Sequence, residues 1–235
     1  MGFKERYDRV MAEVAECCKD CGRDPREVRV VAVSKTVGPE EVAEAVAAGA
    51  TDFGENRPDQ LVLKQSLYPQ QNWHFIGNIQ SRRIADIVPN ATMIHSLYQE
   101  HHLARIEAAA VEAGKVQDVL LEVNVSGEES KSGLAPEQVE GMLKACAPYE
   151  HIQVCGLMTM APQGDLAAAR ECFEGLAHLR DDLRRKLPAE RAAKFNELSM
   201  GMSEDWREGI AAGATMIRIG RVLFDESFED AQTQR

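Results

Sequence analysis

The sequence predicts an α/β protein that folds as a single (β/α)8 TIM-type barrel. Eight short apolar runs alternate with amphipathic segments along the 235 residues, at roughly 30 residues for each βα unit. A repeated turn supports this architecture, because residues 47–51 and 211–215 both read Ala-Ala-Gly-Ala-Thr, in which glycine ends a helix and a strand follows. The competing architecture is an open doubly wound sheet, and the strand number favours the closed barrel.

The first predicted strand covers residues 28–35 and reads Val-Arg-Val-Val-Ala-Val-Ser-Lys. A short β-branched run before a Gly-Pro pair is typical of a buried strand. Alternation puts Val31, Val33 and Lys35 on one face, which should contact a core. Desolvation there would lower the pKa of the lysine and leave an amine that can form a Schiff base with a carbonyl. The alternative is a strand-end lysine that points to water.

The remaining elements follow from hydrophobic periodicity and from Gly and Pro at the boundaries. The other predicted strands are residues 50–56, 73–78, 92–96, 119–125, 152–160, 198–200 and 216–219. The predicted helices are residues 3–21, 40–48, 58–67, 81–87, 100–113, 136–146, 165–187 and 204–212. The chain is thus expected to be one domain over 1–235, with a leading helix within 1–22 and a frayed tail over 226–235.

The charge balance excludes some classes of partner. A formal net charge of -11 disfavours nucleic acids and anionic membranes, because both are bound through a basic field. No apolar run is long enough to span a membrane, and the charged first segment is unlike a signal peptide. Six cysteines in a chain of this length fit a reducing compartment, so the expected location is the cytoplasm.

Two cysteine and histidine patterns offer only weak support for a metal. Cys18 and Cys21 have CxxC spacing but no second pair and no nearby histidine. The six histidines have no metal-ligand spacing, and His74 is expected to be a hydrogen-bonded strand residue.

Functional groups in such a barrel lie at the carboxyl ends of the strands, and phosphates bind at the loops after strands seven and eight. Lys35 ends strand one, Ser199 lies in strand seven, and Gly220-Arg221 follows strand eight, where backbone N–H groups could receive an anion. Ser203 is expected to be the N-cap of the next helix. Arg218 lies on a strand buried on both sides, so its guanidinium needs a partner; a core acid such as Glu122 is the structural alternative.

Seven segments together match one family. They are residues 32–36 (Ala-Val-Ser-Lys-Thr), 53–56 (Phe-Gly-Glu-Asn), 73–77 with Gln80 (Trp-His-Phe-Ile-Gly), 123–126 with 131–133, 156–160 (Gly-Leu-Met-Thr-Met), 198–203 (Leu-Ser-Met-Gly-Met-Ser) and 217–220 (Ile-Arg-Ile-Gly). In this order, over residues 5 to 225, the chain resembles the pyridoxal phosphate homeostasis proteins, the YggS/PROSC family.

The resemblance implies a barrel like the N-terminal domain of alanine racemase, of PLP fold type III without the second β-domain. It implies that pyridoxal 5′-phosphate (PLP) is the cofactor, held as a Schiff base on Lys35. It further implies that Ser199 and the Gly220-Arg221 turn bind the phosphate, that Arg218 faces the pyridine nitrogen and that Asn56 lines the pocket. Residues 57–60, 82–83, Val37 and Tyr98 depart from the family pattern, whereas Lys131 could be a second aldehyde-binding lysine or a solvated loop residue.

The leading hypothesis is a cytoplasmic, monomeric carrier and buffer of PLP and other B6 vitamers. Such a carrier would support vitamin B6 and amino-acid balance and supply PLP-dependent apoenzymes. On this hypothesis the protein is not an enzyme. One alternative is a PLP-dependent racemase or decarboxylase of a small amino acid, with Tyr98 as the candidate acid or base. Another is a cofactor-free Schiff-base aldolase in which Lys35 meets the carbonyl of a sugar phosphate directly.

Overall fold

The computed structural model describes residues 2–228, and within them eight parallel strands form a closed barrel with β1 paired to β8. The predicted tail over 226–235 lies outside the described residues from residue 229 onward. The strands are β1 Arg29–Val33, β2 Asp52–Glu55, β3 Asn72–Phe75, β4 Met93–Leu97, β5 Gln117–Glu122, β6 Ile152–Met158, β7 Glu197–Met202 and β8 Met216–Ile219. The predicted single barrel is confirmed.

Helices surround the barrel and follow its strands. They are α1 Phe3–Asp20, α2 Pro39–Ala47, α3 Pro58–Leu67, α4 Ile84–Ile87, α5 Leu103–Glu112, α6 Val139–Cys146, α7 Leu166–Lys186, α8 Ala189–Lys194, α9 Trp206–Ala211 and α10 Arg221–Phe224. Short 3-10 turns precede α4, α5 and α6, so these helices begin about three residues later than their apolar patterns predict.

Strand alternation divides the apolar side chains into two layers. Outward-facing residues such as Phe53, Trp73 and Ile217 pack against the helices in the large core. A smaller cluster fills the barrel interior and contains Val31, Met93, Leu120, Cys155, Met158 and Met216. Polar side chains occupy the remaining positions in the barrel interior, and these polar residues form part of the candidate site.

Candidate functional site

The predicted site residues lie at the carboxyl-terminal end of the barrel or just below it. Lys35 and Asn56 follow β1 and β2, and Gly220 and Arg221 follow β8. Because Val31 of β1 pairs with Arg218 of β8, the turn that carries Lys35 lies on the strand next to the one that carries the arginine.

Lys35 is exposed, and the prediction that it faces the core is wrong. β1 ends at Val33, and the amide of Val37 donates to the carbonyl of Ser34 at 3.1 Å, so Lys35 lies in the turn beyond the strand. The predicted strand ran on to residue 35 because Ser34 and Lys35 continue the alternation of the valines, whereas β1 ends at Val33. The amine is therefore accessible from the mouth of the barrel.

A second lysine, which the sequence did not point to, holds this turn in place. The ammonium of Lys64 is fully buried and donates to the carbonyls of Ser34 and Val37, each at 2.8 Å. It also forms an ion pair with Glu55 at 2.5 Å, and the Ser34 hydroxyl donates to the same carboxylate at 2.8 Å. Lys64 thus fixes the backbone on both sides of Lys35.

Arg218 lies inside the barrel, where it is 5 % exposed. Its Nη1 donates to the Ser199 hydroxyl at 2.6 Å, and its Nη2 donates to the Thr159 carbonyl at 3.0 Å. Burial lowers the pKa of the guanidinium to about 10, although Asp205 and Glu122 oppose the shift. Within residues 2–228 no carboxylate forms an ion pair with Arg218, so the alternative in which Glu122 neutralises it is not observed.

Glu122 nevertheless lies near enough to interact with this charge. It is 4 % exposed, and burial raises the pKa of its carboxyl group to about 7, against the opposing effect of Arg218. A carboxyl group with this pKa exchanges its proton near neutral pH. Near neutral pH, the interior therefore contains an arginine that is charged and a glutamate whose charge depends on pH.

Ser199 lies deeper than the rim. It pairs in register with Met216 at the beginning of β8, whereas Arg218 pairs with Met202 at the end of β7. The Ser199 side chain is fully buried, and besides Arg218 it contacts Nδ1 of His95 at 2.9 Å. The Ser199 hydroxyl, which the sequence predicts to bind the phosphate, is therefore already bonded to Arg218 and His95.

The sequence analysis missed His95 altogether and gave His74 only a structural role. A partial signal was available, because each histidine lies within a mainly apolar strand: Trp73 and Phe75 flank His74, and Ile94 precedes His95. Alternation sends such a polar side chain to the opposite face from its neighbours, here the barrel interior.

The rim after β7 and β8 differs from the expected helix cap. The Ser203 hydroxyl accepts from the amide of Gly220 at 3.4 Å, and α9 begins at Trp206 with Asp205 as its N-cap. Ser203 is therefore not the N-cap; instead it joins the ends of the two strands. Arg221 reaches outward to Glu204 at 2.9 Å.

The other rim residues have the following contacts. Asn56 is exposed, and its backbone lies so close to Gly77 that a Cβ there would be 2.1 Å from the Asn56 carbonyl oxygen. The Tyr98 hydroxyl donates to the Asn78 side chain at 3.3 Å. Lys131 forms an ion pair with Glu128 at 2.8 Å, so the loop lysine has a charged partner in place of open solvent.

Residues 2–228 contain neither a metal-binding cluster nor a membrane-spanning helix. No cluster of three or more His, Cys, Asp or Glu side chains there could hold a metal ion. None of the helices in that range is long and apolar enough to cross a membrane.

Comparisons with known proteins show the family and support the fold. The family described as alanine racemase, N-terminal domain, matches residues 11–227. A pyridoxal phosphate homeostasis protein of Aquifex aeolicus (strain VF5) is 36% identical over 229 residues, which cover 96% of this chain and 99% of the relative. One from Pseudomonas aeruginosa is 38% identical over 223 residues and covers 94% of each chain.

Solved structures of similar proteins show the same fold. PipY of Synechococcus elongatus PCC7942 without PLP is similar at a TM-score of 0.84 and 31% identity, over 94% of this chain and 99% of PipY. The structure of PipY with PLP bound is similar at a TM-score of 0.77, over 90% and 99% of the two chains. The chain therefore belongs to the family of pyridoxal phosphate homeostasis proteins, and its barrel matches the family described as alanine racemase, N-terminal domain.

Proposed function

We propose that this protein binds pyridoxal 5′-phosphate at the mouth of its barrel and serves as a carrier and buffer of the cofactor. The observation that carries the proposal is the pairing of an accessible amine with a buried cation. Lys35 is exposed in the turn after β1, and Arg218, on the neighbouring strand, is buried without a carboxylate in ion-pair contact among the described residues. A buried charge of this kind is costly unless a ligand contributes acceptor groups.

The amine suits an aldehyde. We propose that Lys35 would hold the cofactor covalently, with its nitrogen joined to the aldehyde carbon as a Schiff base and the aldehyde oxygen lost as water. Lys64 supports this role, since it donates to the carbonyls of Ser34 and Val37, one before and one after Lys35, and so limits where the amine can reach. When bound, PLP supplies an electron-withdrawing ring conjugated to that nitrogen.

The guanidinium of Arg218 argues for carriage over catalysis. An N–H donor with a fixed positive charge opposite the pyridine nitrogen disfavours protonation of that nitrogen. The ring is then a weaker electron sink than one with a carboxylate partner, and carbanion chemistry is poorly supported. The proposed role is therefore binding and release of the cofactor.

For the phosphate we propose the rim after β7 and β8. Gly220 and Arg221 stand at the end of β8, and within the described residues the Gly220 amide makes one long hydrogen bond, to the Ser203 hydroxyl at 3.4 Å. Ser199 remains a proposed cofactor residue, and its bond to Arg218 supports a contribution through the arginine. Asn56, exposed at the end of β2, is proposed to line the same pocket.

The cellular setting belongs to the same proposal. We infer a cytoplasmic protein, monomeric in solution, that exchanges PLP with PLP-dependent apoenzymes and accepts other B6 vitamers. Supporting this setting are the acidic charge balance and the six free cysteines of the described residues.

The experiment is an absorbance spectrum of the purified protein mixed with PLP, before and after borohydride reduction. We expect a yellow band that reduction converts to a stable adduct, with peptide mass spectrometry locating the added mass on Lys35. Lys35→Ala should abolish the adduct, and Lys19→Ala, on the exposed face of α1, should leave it unchanged. A colourless wild-type mixture, or an adduct of equal yield in Lys35→Ala, would refute the proposal.

A further inference from the structure

Five side chains form one continuous row of hydrogen bonds through the barrel interior. Beyond the bond from Arg218 to Ser199, the Ser199 hydroxyl lies 2.9 Å from His95 Nδ1. His95 Nε2 lies 2.9 Å from His74 Nδ1, and His74 Nε2 lies 3.1 Å from a carboxylate oxygen of Asp52. These residues come from β2, β3, β4, β7 and β8, and each is at most 7 % exposed. We refer to them as the interior row.

The carboxylate at the far end of the row is ionised near neutral pH. Burial alone would raise the pKa of Asp52, but hydrogen bonds from His74 and from Thr51, the latter at 2.7 Å, outweigh burial and bring it below its usual value. Arg29 adds a positive charge nearby. An ionised carboxylate can only accept hydrogen bonds, so His74 Nε2 must carry a proton.

That single fact fixes the rest of the row as long as both imidazoles are uncharged. A neutral imidazole has one donor and one acceptor nitrogen, so His74 Nδ1 accepts from His95 Nε2–H. His95 Nδ1 is then an acceptor and takes the Ser199 O–H. The Ser199 oxygen is left to accept from Arg218, a group that can only donate. No other arrangement of protons satisfies all four bonds with neutral rings.

The surroundings of His95 keep this ring uncharged. The pKa of His95 is far below its usual value, chiefly because the ring is completely buried. Electrostatic repulsion from His74, Arg218 and Arg29 lowers it further. An extra proton on His74 would reverse the two bonds between His74 and Ser199, since a cationic imidazole donates from both nitrogens. The Ser199 proton would then lose its acceptor.

Arg218 depends on this order for its orientation. Among the described residues, its hydrogen bonds go to the Ser199 hydroxyl and the Thr159 carbonyl, one for each terminal nitrogen. A carbonyl can only accept, but a hydroxyl group can rotate and present its proton to the guanidinium. Whatever takes the Ser199 proton therefore decides whether the oxygen faces Arg218.

We propose that His95, supported by His74 and Asp52, is a positioning residue that takes the Ser199 proton and so directs the guanidinium of Arg218 toward the ring nitrogen of the cofactor. The cofactor's part in this inference rests on the function proposed above. The arrangement of protons in the ligand-free barrel does not depend on it.

The first test reads the protons directly. In ¹⁵N-labelled protein without ligand, long-range ¹H–¹⁵N spectra distinguish protonated from bare ring nitrogens for all six histidines. The signals of His95 and of a control, His102, are assigned by their loss in His95→Asn and His102→Gln. We expect His95 to be neutral with its one ring proton on Nε2. A proton on Nδ1 of His95 would overturn the proposal, whatever the protein binds.

The second test measures PLP binding by absorbance titration. His95→Leu removes the acceptor, and we expect PLP affinity about 10- to 100-fold weaker, the usual cost of a lost hydrogen bond that serves a charged group. We also expect the band of the bound cofactor to shift. In His95→Asn the amide oxygen can replace Nδ1 as an acceptor, and we expect most of the affinity and the original band to return. His102→Gln, which changes a buried histidine elsewhere, should match wild type.

The outcomes separate the two proposals. Wild-type affinity and an unshifted band in folded His95→Leu would refute the positioning role while leaving the carrier function intact. If wild type itself binds no PLP, the carrier function fails and the nitrogen spectra alone decide the order of protons. If His95→Leu does not fold, His95→Asn and the wild-type spectra still decide.

Discussion

At the scale of single residues, the ion pair between Lys64 and Glu55 offers a sharp test of how the Lys35 turn is held. Both side chains are fully buried, and the second carboxylate oxygen of Glu55 has no hydrogen-bond partner in residues 2–228. Lys64→Met leaves this carboxylate and the carbonyls of Ser34 and Val37 without a cation. We expect the free energy of unfolding in urea to fall by about 3–5 kcal/mol, the usual cost of breaking a buried pair.

A double variant separates the pair from its packing. Lys64→Met with Glu55→Gln removes both charges, so part of the lost stability should return, as measured in a double-mutant cycle. Equal stabilities of the single and double variants would show that the ion pair is not what holds the turn.

Glu122 makes the stability of the protein depend on pH. Its pKa is about 7 in the folded state, against a usual value of 4.5, so the folded state binds this proton more tightly than the unfolded chain does. The contribution is fully present below about pH 4.5 and is lost as pH rises through about 7. Glu122→Gln should therefore raise the free energy of unfolding by about 1–3 kcal/mol at pH 8 relative to wild type.

At pH 4.5 the same variant and the wild type should have nearly equal stabilities with respect to this group. Denaturant titrations at the two pH values measure the difference. A constant offset between the two proteins at both values would contradict the raised pKa.

The residues of the site differ in how far sequence could predict them. The position of Lys35 after the first strand and that of Arg218 on β8 follow from apolar runs and alternation, which are local properties. The turn that carries Lys35 is held by Lys64, which comes from α3. The contact of His95 with Ser199 joins residues 104 positions apart, and no local pattern contains that distance.

At the scale of the elements, β6 contains a glycine, Gly156, at a position where a larger residue does not fit. The pairing of β5 with β6 skips one residue between Val154 and Gly156, and a Cβ on Gly156 would lie 1.9 Å from the backbone oxygen of Glu197 on β7. Gly156→Ala should therefore force β6 and β7 apart. We expect a loss of about 3 kcal/mol in thermal or urea unfolding, at the upper end of what overpacking costs.

A matched control exists in the next outer layer. Gly141 lies exposed in α6, and a Cβ there meets nothing within 4 Å. Gly141→Ala should stabilise the protein by about 0.5–1 kcal/mol, because alanine has the better helix propensity. If both alanine variants were neutral, the close approach at Gly156 would not be a real constraint.

All eight strands were predictable because each combines an apolar core with turn residues at its ends. Their boundaries were less so. The fifth predicted strand extended to residue 125, whereas β5 ends at Glu122 and Val123 forms only an isolated bridge to Leu134. Helix α8 was missed, since the long pattern of α7 and the following proline gave no separate amphipathic period.

At the scale of the whole molecule, the cysteines report on the integrity of the fold. All six are free, and Cys18, Cys146, Cys155 and Cys172 are buried while Cys21 is exposed. Cys17 is half-buried, and burial, with neighbouring Cys21 and Cys18, raises its thiol pKa to about 12. Since the thiolate is the reactive form, the native protein should react rapidly with a maleimide at one position only, Cys21.

Mass spectrometry during the reaction tests this expectation. One label should add quickly, Cys21→Ser should abolish that fast phase, and the buried four should react only as the protein unfolds. Rapid labelling of three or more thiols in native buffer would contradict the packed interior.

The closure of β8 onto β1 also restricts how any recipient enzyme could meet this protein. A ring of eight paired strands presents no unpaired backbone edge, so an incoming chain cannot extend the sheet, which is one common way for peptides to bind. Contact must instead be made by side chains of the helical jacket or by the loops around the opening. A recipient enzyme that takes up a ligand bound at this opening would then contact the protein at the same loops through which the ligand leaves.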